Sequence, residues 1–260
     1  MCRWAAYTGE PIFLSDIISD PEHSLIEQSR DAEKCKTATN ADGFGIAWYG
    51  ARKMPGLYRD TYPAWSDPNL ISLAEQVKSR LFMAHVRAST GMATSRNNCH
   101  PFECRNWTFM HNGQVGGFMG FRKSADMMIS EPLYPDRKGA TDSEAIFLVA
   151  MGDGLANDPK AAMERSVGTF QTLAQRAGVL PYMRFTAALS DGKSLFAIRY
   201  ASDVRAPSLF YRWSESRRGW AVVSEPFEGK GDWCEVPAGS FCTFSAEGCE
   251  ITPFEPVLAA

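Results

Sequence analysis

Several things are missing from this 260-residue sequence, and each absence narrows what it can be. No apolar run approaches eighteen residues, so no membrane-spanning helix is expected and no membrane partner is implied. The start, MCRWAAYTGE, has no lysine-flanked apolar core with a small-residue cleavage site, which argues against a signal peptide. Basic charge is not in excess: 27 Lys and Arg face 30 Asp and Glu, a formal charge of −3. Binding to a phosphate backbone gains from counterion release by clustered cations, so nucleic acid is not an expected partner. There is no CxxC, and the seven cysteines (Cys2, Cys35, Cys99, Cys104, Cys234, Cys242, Cys249) are odd in number and widely scattered. That pattern fits neither a disulfide framework nor a zinc ribbon, and it points to a reducing, cytoplasmic setting. Only four histidines occur, none at HxxxH spacing, so no metal site is expected. Repeats, low-complexity tracts and Pro/Gly/Ser linkers are absent, which favours one domain over residues 1–260.

What is present is ordinary globular material, 45% hydrophobic and 12% aromatic. Runs rich in β-branched and aromatic residues predict strands over 45–49, 81–88, 107–111, 184–189, 195–200, 209–213, 220–224 and 241–245. Asp191-Gly192 predicts a hairpin between two of them. Helices are punctuated by their caps. Asp67-Pro68 opens one with Leu70, Leu73, Val77 and Leu81 along a face. Asp158-Pro159 opens another that runs to Ala177 and stops at Gly178. Thr141-x-x-Glu144 is a capping box ahead of the apolar run 145–150. Asp20-Pro21 predicts a short helix with Leu25 and Ile26 buried. Strands cluster towards both ends of the chain with helices between them, an α+β order without the alternation of a doubly wound fold.

Four features could carry chemistry. Removal of Met1 would leave Cys2 with a thiol and a free α-amine on one residue, a nucleophile beside its own base. The amine titrates near 7.7–8.0 and the thiol near about 8.5 in ordinary surroundings; the plain alternative is a cysteine at a frayed terminus. His111-Asn112-Gly113-Gln114, at a strand end, offers a side-chain amide and a glycine N–H to an oxyanion, or is simply an Asn-Gly turn. Arg87, in the stretch 84–91, could grip a carboxylate with its planar fork or sit in a structural ion pair. Asp142 could hold an ammonium group or complement the dipole of its helix.

Taken in order, Met1-Cys2-Arg3, Asn40-Ala41-Asp42-Gly43-Phe44-Gly45, the His85–Gly91 segment, Asn98-Cys99-His100-Pro101, His111-Asn112-Gly113 and Thr141-Asp142-Ser143-Glu144 resemble the class II glutamine amidotransferases, a branch of the N-terminal nucleophile hydrolases. Each motif is weak alone; the ordered set is specific. The resemblance implies a four-layer αββα fold, two antiparallel sheets between helical layers, and no metal or organic cofactor. It implies catalytic roles for Cys2 as nucleophile and for Asn112 and Gly113 as oxyanion hole. It implies substrate-binding roles for Arg87 on an α-carboxylate, for Asp142 on an α-ammonium and for Thr90 at the substrate-side strand end. Many relatives carry an aromatic after the Arg and a His after the Thr; here Ala88 and Gly91 stand there, so the pocket floor should differ. Met1-Cys2-Arg3 and the segment Pro21-Glu22-His23-Ser24-Leu25-Ile26-Glu27-Gln28-Ser29 are similar to the amidotransferase-type subunits of alternative glutathione-degrading complexes. Part of the pattern is shared by γ-glutamyl hydrolases of ergothioneine synthesis. The expectation is an amidohydrolase acting on a small γ-glutamyl substrate, alone or with a separate peptidase subunit. A glutaminase supplying ammonia to a separate synthase subunit, and a non-catalytic γ-glutamyl-binding domain, stay open as alternatives.

Overall fold

A computed structural model describes residues 2–32, 39–89, 93–227 and 232–258. The first half of the chain forms β1 (Arg3–Phe13), β2 (Phe44–Trp48), β3 (Gly56–Asp60), β4 (Lys78–Val86), β5 (Phe102–Cys104) and β6 (Trp107–Val115). The second half adds β7 (Met183–Ser190), β8 (Leu195–Ala201), β9 (Phe210–Ser214), β10 (Gly219–Val223), β11 (Cys234–Glu235), β12 (Ser240–Ser245) and β13 (Gly248–Pro253). Helices α1 (Ser15–Ile18), α2 (Leu25–Arg30) and α3 (Pro68–Gln76) lie early; α4 (Phe118–Asp126), α5 (Asp142–Gly152) and α6 (Pro159–Ala177) lie between β6 and β7.

Among the described residues the strands form two sheets. One has the order β11-β9-β10-β1-β4-β2-β3, the other β13-β12-β8-β7-β6-β5, and every recorded pairing is antiparallel. Side chains alternate across each strand, which sorts the core into three layers. Trp4, Ala6, Met83, Met110, Ala188 and Phe244 meet between the sheets. Ala5, Tyr7, Phe82, Ala84 and Val223 face outward onto α1–α3 through Ile17, Leu25, Ile26 and Leu70. Phe109, Phe185, Ala187 and Leu189 face outward onto α4–α6 through Phe118, Phe147 and Phe170. The result is the expected αββα sandwich.

Local signals decide many boundaries. The Asp158 side chain accepts from Ala161 N–H at 3.0 Å, Pro159 opens α6, and Gly178 closes it in the left-handed conformation at φ +70°. Thr141 caps α5 by accepting from Glu144 N–H at 3.2 Å. Helix α5 is buried over residues 143–150, as suits a helix apolar on all sides. The Asp191-Gly192 hairpin joins β7 to β8.

Four expectations need correction. The first helix of the Pro21 segment starts at Leu25, not at Asp20-Pro21, because Ser24 accepts from Glu27 N–H at 3.3 Å and caps it there; Leu25 and Ile26 are buried as expected. Leu81 belongs to β4 rather than to the face of α3, which ends at Gln76. The strand beginning at Trp107 does not stop before Asn112-Gly113 but runs through them to Val115, in register with Thr186 and Phe185 of β7. The chain start is no frayed end: Arg3–Phe13 is a central strand, paired on both sides.

Candidate active site

The site follows from strand parity. On β4, Leu81 and Met83 point between the sheets, so His85 shares their face. The pairs Trp4↔His85 and Arg3↔Val86, continued by one residue, set Cys2 opposite Arg87. On β6, Met110 points between the sheets and Asn112 shares its face, towards Cys2 and Arg87. Gly113 takes the opposite parity, towards the start of α5.

Cys2 packs against Ala88: the Ala88 N–H donates to Sγ at 3.4 Å and the thiol donates to the Ala88 carbonyl at 3.6 Å. Burial pushes the thiol pKa up, opposed by the Ala88 hydrogen bond and by nearby positive charges, Arg87 and Arg3 among them. The thiol therefore holds its proton in the resting protein, and attack requires a base.

Arg87 is 4% exposed. Its guanidinium donates to the Asp42 carbonyl at 3.3 Å and to the Ser89 hydroxyl at 3.2 Å. Asp42 also accepts from Ser89 N–H at 2.7 Å, so the loop before Gly43 sets the Arg87 fork. Asp42 belongs to the Asn40–Gly45 motif, and its backbone partnership with Arg87 across two loops is not visible in spacing.

Asn112 is 1% exposed, and among the described residues neither the oxygen nor the nitrogen of its side-chain amide has a hydrogen-bond partner. A buried amide left unpaired costs about 1–3 kcal/mol, which a fold does not carry at random. Its own carbonyl is held by the Thr186 hydroxyl at 3.0 Å. At Gly113 a Cβ would collide with the Arg184 carbonyl, so only glycine lets β7 approach this closely.

Asp142 opens α5 but is not its cap, since Thr141 has that role. One carboxylate oxygen accepts from Val115 N–H at 3.1 Å and the other from Ser143 N–H at 2.8 Å. It lines a cavity of about 530 Å³ with Gly113, Val115, Phe118, Met119 and Val179. The structure thus brings Cys2, Arg87 and Asn112 to one face, and Gly113 and Asp142 to one cavity. Thr90 falls outside the described residues, as do Gly91 and Cys35.

The histidines frame the site. Burial, reinforced by Arg87, holds His85 at about 3 and pushes His100 well below its usual range, so both rings are neutral. They pack 4.3 Å apart, and the His100 backbone presses so closely on β2 that a Cβ at Gly45 would run into the His100 carbonyl. His111 lies 3.3 Å from the Arg184 carbonyl and 2.9 Å from the Ser143 hydroxyl. Burial lowers its pKa against the opposing pull of Asp142. The Ser143 hydroxyl beside the ring also donates to the Asp142 carboxylate at 3.2 Å, so His111 sits between the β6–β7 pair and the start of α5. Among the described residues no three His, Cys, Asp or Glu side chains are grouped to hold a metal ion, and no helix is long and apolar enough to cross a membrane.

A facing pair of antiparallel sheets between helices is the fold of the N-terminal nucleophile hydrolases. Residues 27–211 match the family described as glutamine amidotransferases class-II, and the chain belongs to that family. It is an amidohydrolase-type enzyme. It is 32% identical over 97% of its length to a protein of Saccharomyces cerevisiae named "Probable glutamine amidotransferase DUG3", covering 84% of that relative. It is 27% identical to the gamma-glutamyl-hercynylcysteine sulfoxide hydrolase of Mycolicibacterium smegmatis, over 91% of this chain and 92% of that one. A solved class-II domain protein from Silicibacter pomeroyi superposes with a TM-score of 0.81 at 48% identity, over 98% of this chain and 100% of that one. The glutamine phosphoribosylpyrophosphate amidotransferase of B. subtilis shares the fold at a TM-score of 0.64 and 14% identity; this chain spans 50% of its length.

Proposed function

We propose that the protein, as one domain over residues 1–260, hydrolyses the amide bond of a small γ-glutamyl compound through a thioester on Cys2. The observation that carries this reading is the buried Asn112 amide, without a hydrogen-bond partner among the described residues and on the face of β6 that strand parity turns towards the sheet carrying Cys2 and Arg87. Once Met1 is removed, the Cys2 α-amine takes the thiol proton and the sulfur attacks the γ-carbonyl carbon. Charge moves to the carbonyl oxygen, which the Asn112 Nδ2 and the Gly113 N–H stabilise. The C–N bond breaks as the leaving amine receives the proton. Water, deprotonated by the Cys2 α-amine, attacks the thioester and releases glutamate, and the proton passes from the amine to the departing sulfur to restore the thiol. Arg87 holds the substrate α-carboxylate and Asp142 its α-ammonium, and Thr90 is assigned to substrate binding by its place in the motif alone.

Two relatives support the γ-glutamyl reading by name, one named a probable glutamine amidotransferase and one a gamma-glutamyl-hercynylcysteine sulfoxide hydrolase. Ala88 beside the thiol carries a methyl group where many relatives have an aromatic, which leaves room for a leaving group larger than ammonia. The test is to incubate the purified protein with glutamine, glutathione and γ-glutamyl dipeptides and measure the glutamate released. Release from glutathione or dipeptides is expected to exceed release from glutamine; release from glutamine alone would turn the assignment to ammonia supply, and release from none would reject it.

A further inference from the structure

Behind the thiol lies a buried charged network that the reaction steps above leave unused. Arg3 follows Cys2 and points to the opposite face of its sheet. Its side chain is 1% exposed, and its Nε lies 3.1 Å from one carboxylate oxygen of Glu225, itself 2% exposed. Glu225 stands two residues beyond β10, where the β1–β10 register sets it beside Arg3. Its second carboxylate oxygen lies 2.7 Å from Nε2 of His23, whose side chain is 25% exposed. Gln28 secures the corner: its Nε2 donates to the Glu225 carbonyl at 3.2 Å and to the His23 carbonyl at 3.0 Å. Next to it, Ser224 N–H donates to the Trp4 carbonyl at 3.0 Å and Trp4 N–H to the Ser224 hydroxyl at 2.9 Å. The Pro21–Ser29 segment thus has a structural destination, a line from the surface at His23 through Glu225 to the residue that follows the nucleophile.

We propose that His23, Glu225 and Arg3 are positioning residues that hold the Cys2 thiol in its attacking geometry; this rests on the reading of Cys2 as nucleophile. Chain ends fray unless tied down. In a strand, fixing one side chain on one face fixes the aim of its neighbour on the other. Withdrawing residues 2 and 3 from the sheet would pull Arg3 away and leave the Glu225 carboxylate buried without that partner, so the ion pair opposes fraying at the place where the reaction needs rigidity. His23 holds Glu225 in place from the surface side. None of the three needs to touch substrate.

The test uses the full chain and three readouts: kcat and KM for a γ-glutamyl amide, the rate of Cys2 alkylation by iodoacetamide followed by peptide mass mapping, and the melting temperature. His23→Ala is expected to lower kcat and the Cys2 alkylation rate together by about five- to ten-fold with KM within two-fold, since small misplacements of reacting groups act on rate. His23→Gln restores a donor to Glu225 and is expected to recover most of the loss. Glu225→Gln should produce a larger fall; should it fail to fold, the two His23 variants decide. A folded His23→Ala protein with kcat and alkylation within two-fold of wild type would overturn the proposal, even if its melting temperature falls. If the wild-type protein cleaves no γ-glutamyl amide, the functional reading fails, and the Cys2 alkylation rates alone support or overturn the positioning role.

Discussion

At one end of the space between the sheets, the Tyr49 hydroxyl lies 2.8 Å from the Asn106 carbonyl, 2.9 Å from the Ser190 carbonyl and 3.0 Å from the Thr108 hydroxyl. At the other end, the Asn112 amide and both ring nitrogens of His100 are equally buried and have no hydrogen-bond partner among the described residues. The same two sheets build both ends. The difference teaches where the fold spends its polar groups on its own stability and where it holds them ready for something else. Buried polar atoms are normally paired, so this unpaired cluster is what the proposed substrate would engage.

Breaking this contrast should have its largest effect at Cys2. Cys2→Ser keeps the amine and the fold but loses at least about 10³-fold in turnover, because the hydroxyl gives up its proton far less readily. Steady-state kinetics with a γ-glutamyl amide and a melting curve on one preparation check both halves. Asn112→Ala should lower kcat by about 10²–10³-fold with little change in KM, as expected for a donor that meets charge only in the transition state. Stability should stay the same or rise, since an unpaired buried amide is removed. A destabilised variant with normal kcat would place Asn112 with Tyr49 among the structural groups.

Asp142→Asn should raise KM by about ten-fold or more, from roughly 1.5–3 kcal/mol of charge-assisted hydrogen bonding to the substrate ammonium. It should also cost some stability, because an amide offers one acceptor where the carboxylate serves both Val115 and Ser143. Unchanged KM would confine Asp142 to joining β6 and α5.

Acid should damage the site end first. Burial holds His85 at about 3, below its ordinary value near 6.5, so the unfolded chain takes up a proton before the folded one does. Its contribution is complete above about pH 6.5 and is lost as the pH falls towards 3, at up to about 1.4 kcal/mol per pH unit. Urea midpoints at pH 7 and pH 5 measure this, and His85→Gln should flatten the slope. A slope unaltered by that change would mean that other groups carry the acid sensitivity. The smallest effect is expected at the satisfied end: Tyr49→Phe should cost about 1–2 kcal/mol of stability and leave kcat unchanged. A fall in kcat there would show that the two ends are coupled.

Much of this was legible in the residues. Helix α6 begins and ends where Asp158, Pro159 and Gly178 say, and Thr141 caps α5, because caps are local chemistry. Cys2, Arg87, Asn112, Gly113 and Asp142 could be picked from an ordered set of short motifs. Strand β1 was not legible: residues 3–8 are buried on both faces, so no alternation of apolar and polar residues betrays them. Asn112-Gly113 imitates a turn, and only pairing with Thr186 and Phe185 keeps it extended. Glu225 carried no signal, since its partners Arg3 and His23 lie some two hundred positions away in the chain.

The amino-acid sequence by itself determined the family, the limits of α6, the cap of α5 and the kinds of atom available for chemistry, because side-chain character, capping and turn preference act over a few residues. Tertiary structure alone decided that Arg87 turns its fork beneath Asp42, that the Asn112 amide has no partner among the described residues, and that a carboxylate beyond β10 anchors the residue next to the thiol. Those outcomes depend on register and parity between strands distant in the chain, and a shift of one residue in either would turn each of these side chains to the other face.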